Sequence, residues 1–231
     1  MRLFYDPNIS DRNDTHTLNE EESKHVVRVL RMTNGDQLAV LNGKGDHFAC
    51  EITDAHPKKC ELKINTHHKE EQSTHSIHIA VSPTKQMERM EWFVEKATEI
   101  GVTQITFLQC ANSERVRLKL DRLERKVISA MKQSHRLYLP KLNDLTDYST
   151  FVKANPRGLI AHCYDGQKNT VTKVFKPQEC PILIGPEGDF SLDEVTLADE
   201  NGYKIITLGE NRLRTETAAL YACMQAKLLI E

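Results

Sequence analysis

No stretch of this 231-residue chain approaches the roughly 20 consecutive apolar residues that a membrane span requires, and the opening MRLFYDPNIS lacks the apolar centre of a secretory signal. A membrane location is therefore not expected, and the cytoplasm is. The six cysteines, at positions 50, 60, 110, 163, 180 and 223, form no Cys-x-x-Cys pair and sit in apolar or strand-like settings, which argues against a disulfide framework and for reduced thiols. Neither sign of charge is in excess: 31 basic and 33 acidic residues leave a net charge of −2, so the chain is not a uniformly basic nucleic-acid coat. Any nucleic-acid surface has to be a local patch. No internal repeat or low-complexity tract is present.

What is there divides in two. From Met1 to about Thr66 the chain shows short alternating segments with turns. Leu38 and Val40 share one parity, Asn42-Gly43-Lys44-Gly45 makes a turn, and Phe48, Cys50 and Ile52 follow, a pattern that suits a small β-barrel. The polar run HHKEEQSTHS, from His67 to Ser76, reads as a linker. Beyond it strands and helices alternate: IHIAVS, then a helix over PTKQMERMEWFVEKATEIG with Pro83 in its first turn and Gly101 at its end, then VTQITFLQC. A helix around Arg122 to Gln133, strands GLIAHCY and PILIGP, helix SLDEVTLADENG, strand YKIITLG and helix TETAALYACMQAKLLI complete the series. Alternation of this kind predicts an α/β fold with a mostly parallel sheet.

In NEEESKHVVRVLRM, Asn19 with Glu22 resembles a capping box. At about 100° per residue, a helix starting there gathers Lys24, Arg28 and Arg31 within about 60° and puts Val26, Val29 and Leu30 on the other side. A solvated charged face and a phosphate-binding face are both consistent with this. Like charges at helical spacing repel, a cost that an anionic partner would offset.

Two loops carry the chemistry. The apolar run Ile182 to Ile184 suits a central parallel strand and leads through Gly185, Pro186, Glu187 and Gly188 to Ser191 and Glu194, a second capping box. Open α/β sheets bind ligands at such strand ends. An ordinary strand-to-helix turn is the competing reading, and a P-loop is excluded because no Gly-Lys-Ser/Thr follows. The second loop repeats the arrangement: Ile205 to Leu208 form a strand, Gly209 to Arg214 the turn, and Thr215 or a neighbour caps a helix whose Ala218, Ala219 and Ala222 permit close packing. If the two loops share a pocket, Arg212 and Arg214 project toward an anion or an electron-rich ring.

IGPEGDFSLDEV together with LGENRLRTETAAL closely resembles the RsmE family of ribosomal small-subunit RNA uridine methyltransferases, a branch of the SPOUT class. HVVRVLRMTNGD, EKATEIGV, NSERV and KQSHR match in the same order, so the resemblance spans nearly the whole chain. One departure is Asp189, where many relatives have a second glycine. The resemblance implies a PUA-like RNA-binding β-barrel over residues 1–68, a linker over 69–76 and a SPOUT methyltransferase domain over 77–231, threaded as a trefoil knot. It implies a cofactor, S-adenosylmethionine, held by His162, by Ile184, Gly185, Pro186, Glu187 and Gly188, and by Leu208, Gly209, Asn211, Leu213, Thr215 and Thr217. It further implies 16S ribosomal RNA of the 30S subunit as partner and a homodimer to which the last helix contributes. RNA contacts fall to Lys24, Arg28, Arg31, Arg115 and Arg136.

The reaction so implied methylates N3 of a uridine. Arg214 is the first choice to hold the charge that develops on the base, and Arg212 the second. No general base stands out; Glu216 is a candidate by position, although acidic residues in a first helical turn often complement the helix dipole. No metal is required, and the histidines of His67-His68 and His75-x-x-His78 read as surface residues. The alternatives are another SPOUT specificity (transfer RNA or a ribose hydroxyl), a noncatalytic RNA-binding assembly factor, and a metabolic enzyme using a small nucleotide. The last leaves the basic helix unexplained.

Overall fold

The computed structural model describes residues 1–177 and 180–230. These group into two compact units, Met1–Gln72 with Met131–Leu139, and Ser73–Ala130 with Pro140–Glu231.

In the first unit, strands β1 (Arg2–Tyr5), β2 (Thr15–Thr17), β3 (Gln37–Leu41), β4 (Asp46–Asp54) and β5 (Glu61–Lys69) form one sheet in the order β1-β3-β4-β5-β2. β1 pairs with β3 in parallel and the other pairings are antiparallel. The expected parity holds: Leu38, Val40, Phe48, Cys50 and Ile52 are buried together with Phe4 and Leu62. β5 continues through Lys69, so the polar run after Thr66 starts as strand rather than linker. His67 is exposed, as expected, and its ring is engaged as well: it stacks on Phe48 at 4.7 Å and its Nε2 lies 2.7 Å from Asp46 Oδ1.

The basic segment differs from expectation in two ways. Asn19 Oδ1 accepts from the Glu22 N–H at 2.9 Å, but the Glu22 carboxylate does not reach back. Glu22 instead accepts from the Tyr5 N–H at 3.1 Å and from Lys132 Nζ at 2.9 Å, leaving the Asn19 N–H to Asp6 Oδ2 at 3.1 Å. Helix α1 (Glu20–Lys24) is therefore capped on one side only, and His25–Val29 then winds as a π turn. The looser i→i+5 winding shifts the helical phase. Val29, expected on the apolar face, is 65% exposed, and Arg31 leaves the helix at φ 55°. Lys24, Arg28 and Arg31 are nonetheless all exposed.

The second unit is an α/β layer structure on a seven-stranded parallel sheet. Its strands are β6 (His78–Val81), β7 (Gln104–Gln109), β8 (Lys141–Asp147), β9 (Leu159–Ala161), β10 (Asn169–Thr170), β11 (Pro181–Ile184) and β12 (Lys204–Thr207), in the order β10-β12-β9-β11-β6-β7-β8. The helices are α2 (Met87–Ile100), α3 (Leu120–Gln133, whose last turn groups with the first unit), α4 (Tyr148–Ala154), α5 (Val171–Val174), α6 (Leu192–Glu200) and α7 (Thr215–Leu228). β11 is buried along its whole length between β9 and β6, as its uninterrupted apolar run requires. His78, expected at the surface, sits in β6, with Nε2 2.8 Å from Thr106 Oγ1 and its ring edge-on to Phe151.

β8 carries too few apolar residues to announce itself, an allowance an edge strand enjoys; α4 buries Tyr148, Phe151 and Val152 at helical spacing and is opened by Asp147, whose carboxylate accepts from the Thr150 N–H at 2.8 Å as N-cap. Pro83 does not open α2, which starts four residues later. The guanidinium of Arg115 donates to the carbonyls of Thr84 and Lys85, and the Lys85 N–H donates to Glu187, so this stretch is held as a turn. No helix among the described residues is long and apolar enough to cross a membrane.

Candidate functional site

The loops that follow β9, β11 and β12 open onto one cavity of ≈ 650 Å³ in the second unit. This is the carboxyl edge of the parallel sheet, where strand ends and helix starts leave backbone amides unpaired. Of the residues singled out from the sequence, His162, Ile184, Gly185, Pro186, Glu187, Gly188, Leu208, Gly209, Asn211, Leu213 and Thr215 all line it, as do Arg212 and Arg214. Thr217 does not; it is exposed in the first turn of α7, outside the lining. Cys163, Lys168, Asp189 and Glu210 line the cavity as well. Glu210 belongs to the LGENRLRTETAAL loop, whereas Lys168 carries no motif of its own and only the return of the chain to this edge brings it in.

Local chemistry explains why these loops hold their shape. A side chain at Gly185 would put its Cβ 3.1 Å from the Phe190 ring, and Gly209 adopts φ 109°, which few other residues tolerate. Ser191 caps α6 through a complete capping box: its Oγ accepts from the Glu194 N–H at 3.2 Å, and Glu194 Oε2 accepts from the Ser191 N–H at 2.8 Å. The second oxygen of Glu194 accepts from the Ala111 N–H at 2.8 Å, tying the loop to the end of β7. Asn112 Nδ2 donates to the carbonyls of Gly188 and Asp189, at 3.3 and 3.1 Å. Arg214, rather than Thr215, is the N-cap residue of α7, and makes no side-chain capping bond. Thr215 Oγ1 turns instead to the Gly185 carbonyl at 3.1 Å.

The electrostatics of the cavity are set by few groups. Arg212 and Arg214 are exposed to it, and among the described residues neither guanidinium has an ion-pair or hydrogen-bond partner. Burial, with the nearby charge of Lys168, lowers the pKa of His162, and among the described residues neither of its ring nitrogens has a hydrogen-bond partner. Neutral imidazole offers one donor and one acceptor, so a His162 nitrogen turned to the cavity would suit a polar ligand there. The volume falls in the range of small-molecule and cofactor sites, about 300–1,000 Å³. Glu216 is outside the lining and buried, with Oε1 3.7 Å from Arg89 Nε.

The predicted RNA contacts separate. Lys24, Arg28 and Arg31 lie exposed in the first unit, which also holds the half-buried Arg136. Arg115 is in the second unit, and its guanidinium is spent on the Thr84 and Lys85 carbonyls. Several other cations of the middle region are engaged too: Arg122 with Glu91, Lys126 with Glu95 and Lys132 with Glu22.

Residues 70–227 match the family model of an RNA methyltransferase domain, and residues 18–65 that of an RNA methyltransferase PUA domain. A probable rRNA-methyltransferase from Porphyromonas gingivalis superposes with a TM-score of 0.89 at 39% identity, over 99% of this chain and 98% of that one. The ribosomal RNA small subunit methyltransferase E from Neisseria gonorrhoeae, solved bound to S-adenosyl methionine, gives a TM-score of 0.87 at 26% identity, over 99% and 98% of the two chains. A ribosomal RNA small subunit methyltransferase E from Rickettsia conorii is 27% identical across 99% of this chain and 95% of its own length. The fold, the carboxyl-edge cavity and these matches agree, and the chain belongs to the RNA methyltransferase family that contains the ribosomal RNA small subunit methyltransferases E.

Proposed function

We propose that this protein transfers a methyl group from S-adenosylmethionine to N3 of one uridine of 16S ribosomal RNA in the 30S subunit, in the cytoplasm. The observation that carries the reading is the cavity of ≈ 650 Å³ at the carboxyl edge of the sheet, lined by the glycine-containing loops and by Arg212 and Arg214, whose guanidinium groups have no partner among the described residues. S-adenosylmethionine supplies an electrophilic methyl group on its sulfonium when bound. The loops Ile184–Gly188 and Leu208–Thr215, with His162, are the residues that would hold it.

N3 of neutral uracil carries a proton, so methylation requires its loss and spreads negative charge onto the flanking carbonyl oxygens. Arg214 is assigned to hold that charge, with Arg212 as its neighbour; a fixed, always-charged guanidinium needs no reorganisation as the charge develops. Glu216 does not serve as base on this reading, because it faces Arg89 rather than the cavity. Solvent takes the proton. The remainder of the rate comes from holding the two reacting atoms in line.

Lys24, Arg28 and Arg31 are assigned to RNA phosphates, supported by their exposure in the unit that carries the PUA match. The homodimer is part of the same reading, supported by Tyr221, Met224 and Leu228, which recur at helical spacing on α7 and are 41%, 46% and 73% exposed. The knotted threading is carried with it as part of the family reading.

The test supplies tritiated methyl donor and 30S subunits that lack the modification, maps the labelled nucleotide, and repeats the assay with Arg214→Ala. Label on one uridine ring nitrogen, lost in the variant while donor binding persists, supports the assignment. Label on another nucleotide moves the protein to a different specificity, and tight subunit binding without label makes it an assembly factor.

A further inference from the structure

The peptide group joining His162 to Cys163 is gripped at both of its polar ends by charged side chains of the cavity wall. The His162 carbonyl accepts from Lys168 Nζ at 2.8 Å, and the Cys163 N–H donates to Asp189 Oδ2 at 2.7 Å. A peptide unit is planar, with its N–H and C=O on opposite edges, so two such bonds remove its freedom to rotate. Among the described residues neither Lys168 nor Asp189 forms an ion pair within 4.0 Å, so both charges act on the peptide rather than on each other.

Asp189 is itself held rigidly. It adopts φ 64°, which aspartate tolerates because its short side chain hydrogen-bonds locally, and here Oδ1 accepts from the Phe190 N–H at 2.8 Å. Its own N–H donates to the Pro186 carbonyl at 3.0 Å, and its carbonyl accepts from Asn112 Nδ2. The grip on Cys163 thus starts from an anchored loop. The side chain that this peptide presents is His162, whose two ring nitrogens are shielded from solvent and unpartnered at the cavity wall. A buried polar group left without a partner is costly, and a polar ligand bound in the cavity is one way to relieve that cost.

We propose that Lys168 and Asp189 are positioning residues that jointly fix the His162–Cys163 peptide and so aim the His162 imidazole at the methyl donor. This rests on the cavity being the donor site; neither positioning residue needs to touch the donor. A charge-assisted bond to a backbone group is the unit of interaction each contributes.

The test measures S-adenosylmethionine binding by calorimetry in Asp189→Gly, which keeps the left-handed backbone and removes the carboxylate, in Lys168→Met, and in the double variant. It also follows hydrogen exchange of the Cys163 amide by NMR in the ligand-free chain. Each single change is expected to weaken binding about tenfold, as the loss of one charge-assisted bond does. The double variant is expected to be little weaker than either, because both act through one peptide. Lys168→Arg, which keeps an N–H donor, restores binding, and Cys163 exchange accelerates in Asp189→Gly.

Parent-like affinity in both single variants, or losses that multiply in the double, overturns the proposal. Unchanged Cys163 exchange overturns it as well. That last readout needs no ligand, so a chain that binds no S-adenosylmethionine defeats the functional reading while exchange still decides whether Asp189 holds the peptide.

Discussion

Thr215 Oγ1 donates to the carbonyl of Gly185 at 3.1 Å, a bond between residues thirty positions apart that fastens the start of α7 to the loop after β11. Both residues are buried, so removing the hydroxyl leaves a carbonyl without its partner. Thr215→Val, which keeps the shape, should cost about 1–3 kcal/mol in denaturant unfolding and weaken methyl-donor binding at the same time. Unfolding and calorimetry on one preparation check both.

Arg214→Ala should lower kcat by roughly a hundredfold or more while leaving the donor dissociation constant close to that of the parent. Arg214→Lys should recover little, because an ammonium cannot reproduce a planar fork of donors. Arg212→Ala should fall less. Single-turnover methylation of 30S subunits, set against donor binding, separates the two arginines, and a larger loss at Arg212 would exchange their roles.

Arg28 and Arg115 should part company in a salt titration. Arg28→Ala should reduce the slope of log affinity for RNA against log salt by about one, as the loss of a phosphate contact does. Arg115→Ala should leave that slope unchanged and weaken donor binding, because the Thr84–Lys85 turn it grips holds Glu187 through the Lys85 N–H at 3.2 Å. An Arg115 variant with a reduced slope would return that residue to the RNA surface.

Burial, with the nearby charge of Lys141 adding to it, lowers the pKa of His78 from 6.5 to about 4. In the window between those values the unfolded chain binds a proton that the folded chain refuses, so stability falls as pH falls from 6.5 towards about 4. His78→Gln removes this proton uptake and should flatten the dependence across the window. Urea midpoints measured through it check the slope; an equally steep decline in the variant would assign the titration to another group.

Much of the fold was legible because burial imposes period. PILI suited a covered strand, Ser191 with Glu194 announced a helix start, and Leu38, Val40, Phe48, Cys50 and Ile52 marked the inner face of the first unit. Period failed where a local rule was overridden from afar. The Glu22 carboxylate is taken by Lys132 rather than by its own helix cap, and the π turn that follows sets Val29 outward. β8, an edge strand of polar residues, had no apolar alternation to display.

By itself the sequence determined which segments carry chemistry: glycines at 185, 188 and 209, guanidinium groups at 212 and 214, and basic side chains at 24, 28 and 31 are properties of residue type and spacing. Tertiary structure alone decided what those groups meet. It turned Arg115 onto backbone carbonyls, set Glu216 toward Arg89 and away from the cavity, and brought Lys168 and Asp189 to the two ends of one peptide. The physical reason is range: periodicity reports which side of an element is buried within a few residues, whereas a hydrogen bond between Lys85 and Glu187, 102 positions apart, exists only once the sheet has brought their loops to the same edge.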